Sequence, residues 1–355
     1  MVPLAILTWL VLDVQRKDPE TFQQLRLRPK HWGLLSAALC VALAAHVCTF
    51  VRWYLLVRAL RIPFRLRDAF RLGFLGCLFN FISLGSVGGD LFKAIFIARQ
   101  QKRRRAEAVA TVLVDRLIGL LALVVVTSLA VSFVPQLQAT PELRVIAWCA
   151  YGLTAAGAVC VALLLLPGFT QGSLAEKLIG LPRIGRSLER VIAAVRLYRG
   201  HKAALVAIAF LSLSVHVLLA VAIYATARGL FPQTATFGEH LLIAPLSSLA
   251  GALPVAPAGL GTFEFAMDFL YDRIPAAQAG SGQGLVVALC YRAMLIAIAG
   301  VGVVYYWADR RAVRQLWHEA EIEAERMRHA DAGSAAVDAS GPFREARIEP
   351  LPAKS

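Results

Sequence analysis

Five long apolar stretches constrain this chain more than any other feature of its sequence. Each could cross about 30 Å of hydrocarbon as a helix, and they occupy residues 32–56, 109–134, 143–167, 203–227 and 284–307. Because backbone in lipid must satisfy its own hydrogen bonds, they predict an all-α polytopic integral membrane protein. The shorter apolar run at residues 2–12 lacks a basic leading segment, and we interpret it as a short first span rather than a signal peptide.

Basic residues are distributed unevenly between the loops, and this pattern predicts the orientation of the chain. Lys and Arg number five in residues 57–71, six in 93–108, seven in 168–202 and eight in 308–355. In contrast, Lys and Arg are absent from residues 135–142 and 229–240. We therefore expect a bacterial plasma (inner) membrane protein whose N- and C-termini are both cytoplasmic. Residues 15–31 conflict with this rule, because they hold five basic groups on the predicted outer side.

Two glycine-rich segments interrupt apolar sequence, Gly85-Ser86-Val87-Gly88-Gly89-Asp90 and Pro257-Ala258-Gly259-Leu260-Gly261-Thr262-Phe263-Glu264. Each lies between apolar arms that are too short to span comfortably. By the charge pattern, residues 68–98 begin and end in the cytoplasm. Residues 239–272 begin and end outside. Non-helical backbone at bilayer depth occurs only where protein buries it or where it lines a cavity. We predict two re-entrant hairpins from opposite faces, with their tips meeting at a substrate site near the midplane.

The chain also repeats itself. At an offset of 170, residues 26–60 give twelve identities in thirty-five positions, including His46/His216 and Arg58/Arg228. The glycines Gly88 and Gly261 align at an offset of 173, and the arginines of the following spans align at 176. Each repeat is then a span, a hairpin and a span, and an odd number of crossings separates the two. This pattern predicts an inverted-topology repeat, typical of alternating-access transporters. Duplicated membrane proteins can also be channels or scaffolds.

Arg116 and Arg292 lie about a third of the way into two predicted spans. A guanidinium at that depth is costly, so a partner or an aqueous cavity is expected. Arg116 is nearer the predicted cytoplasmic face and Arg292 nearer the outside. We therefore hypothesise that the two residues bind an anion, a lipid phosphate, and transfer it from one face to the other. The N–H groups that follow Gly88 and Gly261 would help to hold it, because a helix N-terminus attracts anions.

The alternative for both arginines is structural. Asp90 or Asp115 would form an ion pair with Arg116, and Glu264 or Asp268 would form one with Arg292. Asp90 and Glu264 fall within the first turn of a restarting helix, where a carboxylate complements the helix dipole; they would cap the helix or bind a cationic headgroup. Asn80 ends the first arm of the first hairpin and would cap or line the site.

Several other classes of site are disfavoured by the sequence. The excess of 37 basic over 23 acidic residues would suggest nucleic acid as the partner of a soluble protein. Here most charges lie in loops that meet anionic lipid headgroups, so no nucleic acid is expected. All six cysteines lie in apolar stretches without metal-ligand spacing. We predict no metal and no cofactor.

Four motifs together resemble a known family. They are Phe79-Asn80-Phe81-Ile82-Ser83-Leu84-Gly85-Ser86-Val87-Gly88-Gly89-Asp90, Val114-Asp115-Arg116-Leu117, Pro254-Val255-Ala256-Pro257-Ala258-Gly259-Leu260-Gly261 with Glu264, and Tyr291-Arg292. The combination is similar to the lysylphosphatidylglycerol synthase transmembrane-region family, also called flippase-like, over roughly residues 4–308. Leu84 and Ala258 depart from it, since proline and a second glycine are usual there.

The resemblance implies movement of aminoacylated phospholipids or other polar lipids between leaflets. Some members carry a soluble aminoacyl-transferase domain, which we do not find after residue 308. The site residues carried over by motif are Asn80, Gly85, Ser86, Gly88, Gly89, Asp90, Asp115, Arg116, Pro257, Gly259, Gly261, Glu264 and Arg292.

We therefore expect a flippase-like transmembrane domain over residues 1–308 and a cytoplasmic charged helix with a disordered tail over 309–355. Within the first lie repeat A at about 26–134, repeat B at about 196–308, a linking span at 143–167 and an interfacial helix at 173–199. The predicted function is translocation of a polar phospholipid or lipid-linked headgroup, without enzyme activity. A non-transporting accessory subunit and a lipid-linked transferase are the alternatives. The predicted partners are membrane lipids with an anionic phosphate headgroup, while self-association and contact with envelope-biosynthesis enzymes stay open.

Overall fold

The protein is described by a computed structural model that covers residues 12, 29–82, 87–101, 104–134, 138, 140–165, 198, 200–253, 259–274 and 282–308. These residues contain nine α-helices: α1 Trp32–Ala59, α2 Leu66–Ile82, α3 Val87–Gln100, α4 Arg105–Phe133, α5 Pro141–Leu165, α6 Lys202–Leu230, α7 Phe237–Ala252, α8 Thr262–Arg273 and α9 Gln283–Ala308. No strand occurs among them. The prediction of an all-α protein is confirmed.

Five of the described helices are long and apolar enough to cross a membrane. They are Trp32–Ala59, Arg105–Phe133, Pro141–Ala162, Ala203–Leu230 and Gln283–Ala308, which matches the five predicted spans. Large apolar side chains such as Trp148, Phe210 and Val304 are about 70% exposed on these helices, as expected for surfaces that contact lipid rather than water. The chain is a multi-pass membrane protein. The first short span, most of the interfacial helix and residues 309–355 lie outside the described residues.

A long helix, two shorter helices and a second long helix follow one another twice, as α1–α4 and as α6–α9. The contacts between the two sets also occur in matched pairs. The first helices of both sets, α1 and α6, pack against each other; α9 packs against α2, and correspondingly α4 packs against α7. Within each set, each shorter helix contacts the next helix along the chain. This arrangement surrounds a space between the two sets.

The shorter helices of each set fold back on one another at glycines. In the first hairpin, α2 and α3, a Cβ on Gly89 would clash with the carbonyl oxygen of Gly76. In the second, α7 and α8, Gly259 has φ +64° and approaches the carbonyl of Gly251 just as closely. Only glycine fits such backbone contacts. These close approaches bring the start of α3 and of α8 into the middle of the helix assembly.

Candidate functional site

A cavity of about 400 Å³ lies between the two sets of helices. Its described lining comes from every helix except α5 and combines apolar side chains with six charged ones, Arg52, Asp90, Lys93, Asp115, Arg116 and Arg292. The volume is within the usual range of small-molecule sites. The cavity therefore brings together residues from both predicted repeats.

Two arginines of this cavity lie well inside their long helices. Arg116 is eleven residues after the start of α4, and Arg292 is nine residues after the start of α9. At 1.5 Å per residue these positions are about 16 Å and 14 Å along the helix. Charge at that depth in an apolar span is rare and usually marks a substrate pathway or a proton relay.

The first charged group joins α3 to α4. Arg116 Nε donates to Asp90 Oδ2, and Lys93 Nζ lies 3.7 Å from Asp90 Oδ1. The Arg116 side chain is 38% exposed and that of Asp90 20% exposed, so this pair faces the open cavity. Of the two partners expected for Arg116, the described structure contains the pair with Asp90.

The second charged group occupies the corresponding place in the other set. Arg292 Nε donates to Glu264 Oε1 at 2.7 Å, and an Nη donates to the carbonyl of Gly259 at 3.2 Å. The guanidinium also lies over the Phe263 ring. Exposure is 9% for the Arg292 side chain and 0% for that of Glu264. This buried pair fixes the tip of the second hairpin to α9, as the structural alternative predicted.

The third charged group pairs Asp115, which the sequence analysis named, with Arg52, which it missed. Arg52 on α1 forms two hydrogen bonds with the Asp115 carboxylate, at 2.7 Å and 3.0 Å, and a third with Ser212 Oγ on α6 at 3.2 Å. The signal was present, because Arg52 lies inside the first predicted span. Asp115 thereby binds α1 to α4 instead of pairing with the adjacent arginine.

Side chains cap the starts of α3 and α8, one from α2 and one from α8 itself. Asn80 Oδ1 accepts from the Gly89 N–H at 2.8 Å, and Glu264 Oε2 accepts from the Gly261 N–H at 2.8 Å. The Phe263 N–H donates to the carbonyl of Gly259. Of the N–H groups that follow Gly88 and Gly261, those of Gly89 and Phe263 already have an acceptor in the protein. Asn80 caps and also lines the cavity.

The two repeat-related histidines also line the cavity. His46 Nδ1 bonds to the carbonyl of Ala42 on its own helix at 2.9 Å, and His216 Nε2 bonds to the carbonyl of Gly119 on α4 at 3.0 Å. Asp268, the other carboxylate considered for Arg292, accepts from the Leu285 N–H at 3.0 Å. The His216 and Asp268 hydrogen bonds join different helices, whereas the His46 bond lies within α1.

The remaining predicted site residues fall into two sets. Gly88, Gly89, Gly259 and Gly261 lie at the tips of the hairpins, whereas Gly85, Ser86 and Pro257 lie outside the described residues. In the described part of the chain, no three His, Cys, Asp or Glu side chains cluster in a way that could hold a metal ion. The cavity is therefore lined by the arginines of three arginine–carboxylate pairs among the apolar spans.

Comparison with known proteins identifies the family. A search of curated proteins returned no match. A comparison with family descriptions matches residues 1–303 to the lysylphosphatidylglycerol synthase TM region, which includes both hairpins, the cavity and all three ion pairs. The match indicates a membrane function related to lipids. The chain belongs to the lysylphosphatidylglycerol synthase TM region family.

Proposed function

We propose that this protein translocates a polar phospholipid or lipid-linked headgroup between the leaflets of the bacterial inner membrane, with both termini cytoplasmic. The observation that carries the proposal is the cavity of about 400 Å³ with six charged lining residues between long apolar helices. A headgroup moving through hydrocarbon needs polar partners at that depth. The apolar part of the lining, which includes Leu120, Leu219 and Leu295, suits the glycerol and upper acyl chains.

The two arginines have different roles in this proposal. Arg116, which is 38% exposed with its partner Asp90 at 20%, contacts the phosphate from the cavity wall. Arg292 and Glu264 are buried almost completely and position the second hairpin. The sequence hypothesis treated the arginines as equivalent, whereas their different exposure supports binding at Arg116.

The proposal includes an inverted repeat with two re-entrant hairpins. The matched contacts of α1–α4 and α6–α9 and the corresponding ion pairs support it. In such an arrangement, motion of one set of helices against the other would open the central cavity to each face in turn. The hairpin tips would stay at the site throughout.

Leaflet exchange in proteoliposomes tests the proposal. The full chain is reconstituted into vesicles of phosphatidylcholine and phosphatidylglycerol with a trace of headgroup-labelled lipid, and the label accessible to a membrane-impermeant reductant is followed over time. We expect the wild type to expose more label than protein-free vesicles do. Arg116→Gln should slow exchange about tenfold or more, because the phosphate loses a charge-assisted contact.

The matched control is Arg58→Gln, which removes one positive charge from an exposed position on α1 outside the cavity lining. It should exchange lipid at the wild-type rate. Size-exclusion profiles of both variants would test whether they remain folded. Unchanged exchange in Arg116→Gln would contradict the role given to this residue, and a wild type that moves no polar lipid would favour the non-transporting accessory subunit.

A further inference from the structure

We propose that Lys93 makes the first half of the cavity an anion subsite, so that the protein selects headgroups with a net negative charge over zwitterionic ones. The ligand chemistry is a phosphodiester monoanion seated beside Lys93 and Arg116. This inference rests on the proposed function for its lipid ligand, and it adds the residue that sets the charge preference.

The proposal starts from the balance of charge around the cavity. Four basic side chains line its described part, Arg52, Lys93, Arg116 and Arg292. They meet three carboxylates, because Asp90 and Asp115 share the lining and Glu264 lies behind Arg292. In the sequence, residues 83–86 connect α2 to α3 and residues 254–258 lie between α7 and α8, and neither segment contains a charged residue. With histidine counted as neutral, the basic side chains outnumber the carboxylates by one.

The excess charge is located at Lys93. Arg52 pairs with Asp115 and Arg292 pairs with Glu264, whereas Asp90 faces two cations, Arg116 and Lys93. The Lys93 side chain is only 10% exposed. A buried ammonium that shares its carboxylate is incompletely compensated, and a bound anion would complete its environment.

Neighbouring groups hold the ammonium at the cavity. Its Nζ lies 5.5 Å from the Trp53 ring centroid, a cation–π distance. A Cβ on Gly76 would lie 3.2 Å from Lys93 Cε, so glycine at this position leaves room for the lysine stem. Trp53 is itself fixed by a hydrogen bond from its Nε1 to Thr111 Oγ1 at 3.2 Å. The site is therefore built from α1, α2, α3 and α4.

The second half of the molecule has no counterpart to this lysine. Lys93 is three residues after Asp90, and Met267 is three residues after Glu264. The glycine offset of 173 pairs Lys93 with Ala266 instead, which is also uncharged. Met267 is fully buried in the apolar core. The paired arginines are common to both halves, and the extra cation belongs to the first alone.

A binding competition tests this inference without depending on transport. The purified full chain in detergent micelles is given equimolar phosphatidylglycerol and phosphatidylcholine, and native mass spectrometry measures the ratio of the two bound lipids. We expect the wild type to prefer phosphatidylglycerol. Lys93→Met should reduce that preference about tenfold or more, because a nearby unit charge acts strongly in a poorly solvated site. Lys93→Arg should retain the preference for the anionic lipid.

Arg58→Met is the matched control, since it causes the same change in net charge at an exposed position, and its preference should equal that of the wild type. A Lys93→Met protein that keeps the full preference overturns the inference, and so does a wild type without preference. A third arm adds soluble glycerol 3-phosphate. If it displaces phosphatidylglycerol at equal concentration, the anion subsite stands and the lipid assignment fails, which separates this inference from the proposed function.

Discussion

The two halves of the molecule carry the same kind of ion pair in very different surroundings. In residues 32–133 the pair is Arg116 with Asp90, partly exposed to the cavity and joined by Lys93. In residues 202–308 the pair is Arg292 with Glu264, and it is buried. The Arg292 guanidinium also lies over the Phe263 ring and donates to the Gly259 carbonyl. The first half also has the Arg52–Asp115 pair. The second half has uncharged residues at the corresponding positions: Ala222 corresponds to Arg52 at an offset of 170, and Tyr291 corresponds to Asp115 at an offset of 176.

The same kind of ion pair can therefore take two roles in one molecule. A buried, fully partnered ion pair is costly to disturb and suits the fixing of a hairpin to a span. A partly exposed pair can exchange its carboxylate for another anion at lower cost, because the charges keep some solvation. The first half therefore carries the candidate binding chemistry, and the second supplies the rigid frame opposite to it.

Breaking the buried pair should have the largest effect on stability. Glu264→Gln removes the carboxylate that accepts from the buried Arg292 guanidinium, and we expect a loss of about 3–5 kcal/mol in the free energy of unfolding. The comparison variant is Arg116→Gln, which should cost about 1 kcal/mol or less because the Arg116 side chain is 38% exposed and Lys93 stays beside Asp90. Unfolding in detergent micelles, followed by denaturant titration, measures both. Equal losses would show that the two pairs do not differ as their exposure indicates.

Substitution of the close-packed glycines should have an intermediate effect. Gly259→Ala forces a residue with a Cβ to adopt φ +64° against the Gly251 carbonyl, and Gly89→Ala meets the Gly76 carbonyl without that backbone strain. We expect losses of about 2–4 kcal/mol for the first and 1–3 kcal/mol for the second.

Gly300→Ala is the control for both glycines, because no heavy atom lies within 4 Å of the added Cβ. It should change the free energy of unfolding by about 1 kcal/mol or less, in the stabilising direction, since alanine favours helix. The same denaturant titration applies. Tolerance of alanine at Gly89 or Gly259 would mean that the hairpin arms do not pack as closely as described.

Removing the third pair as a unit should have the smallest effect. The double variant Arg52→Met, Asp115→Leu replaces the ion pair with apolar side chains and should change stability by about 1 kcal/mol in either direction. Each single variant should cost several kcal/mol, because it leaves one buried charge alone. A double-mutant cycle of unfolding free energies measures the coupling. Additive single losses would show that the two side chains do not act as a pair.

Much of the site was predictable because its signals are local. The motif around Gly85–Asp90 and the one around Gly259–Glu264 stand out as polar interruptions of apolar sequence, and the structure places Gly89 and Gly259 at close backbone contacts. The arginines were identifiable by their depth in predicted spans. Arg52 was not predicted, although it also lies within a predicted span, because the second repeat has no arginine at the corresponding position.

The amino-acid sequence by itself determined the membrane class, the five spans and the hairpin positions, because length and apolarity are properties of continuous segments. It could not determine which carboxylate meets which arginine. Asp115 adjoins Arg116 in the chain, but adjacent side chains on a helix point about 100° apart. Asp115 pairs with Arg52 and Arg116 pairs with Asp90 only because α1 and α3 pack against α4. Tertiary structure alone also placed Lys93 beside Asp90 in the cavity, since that position depends on how the first hairpin packs.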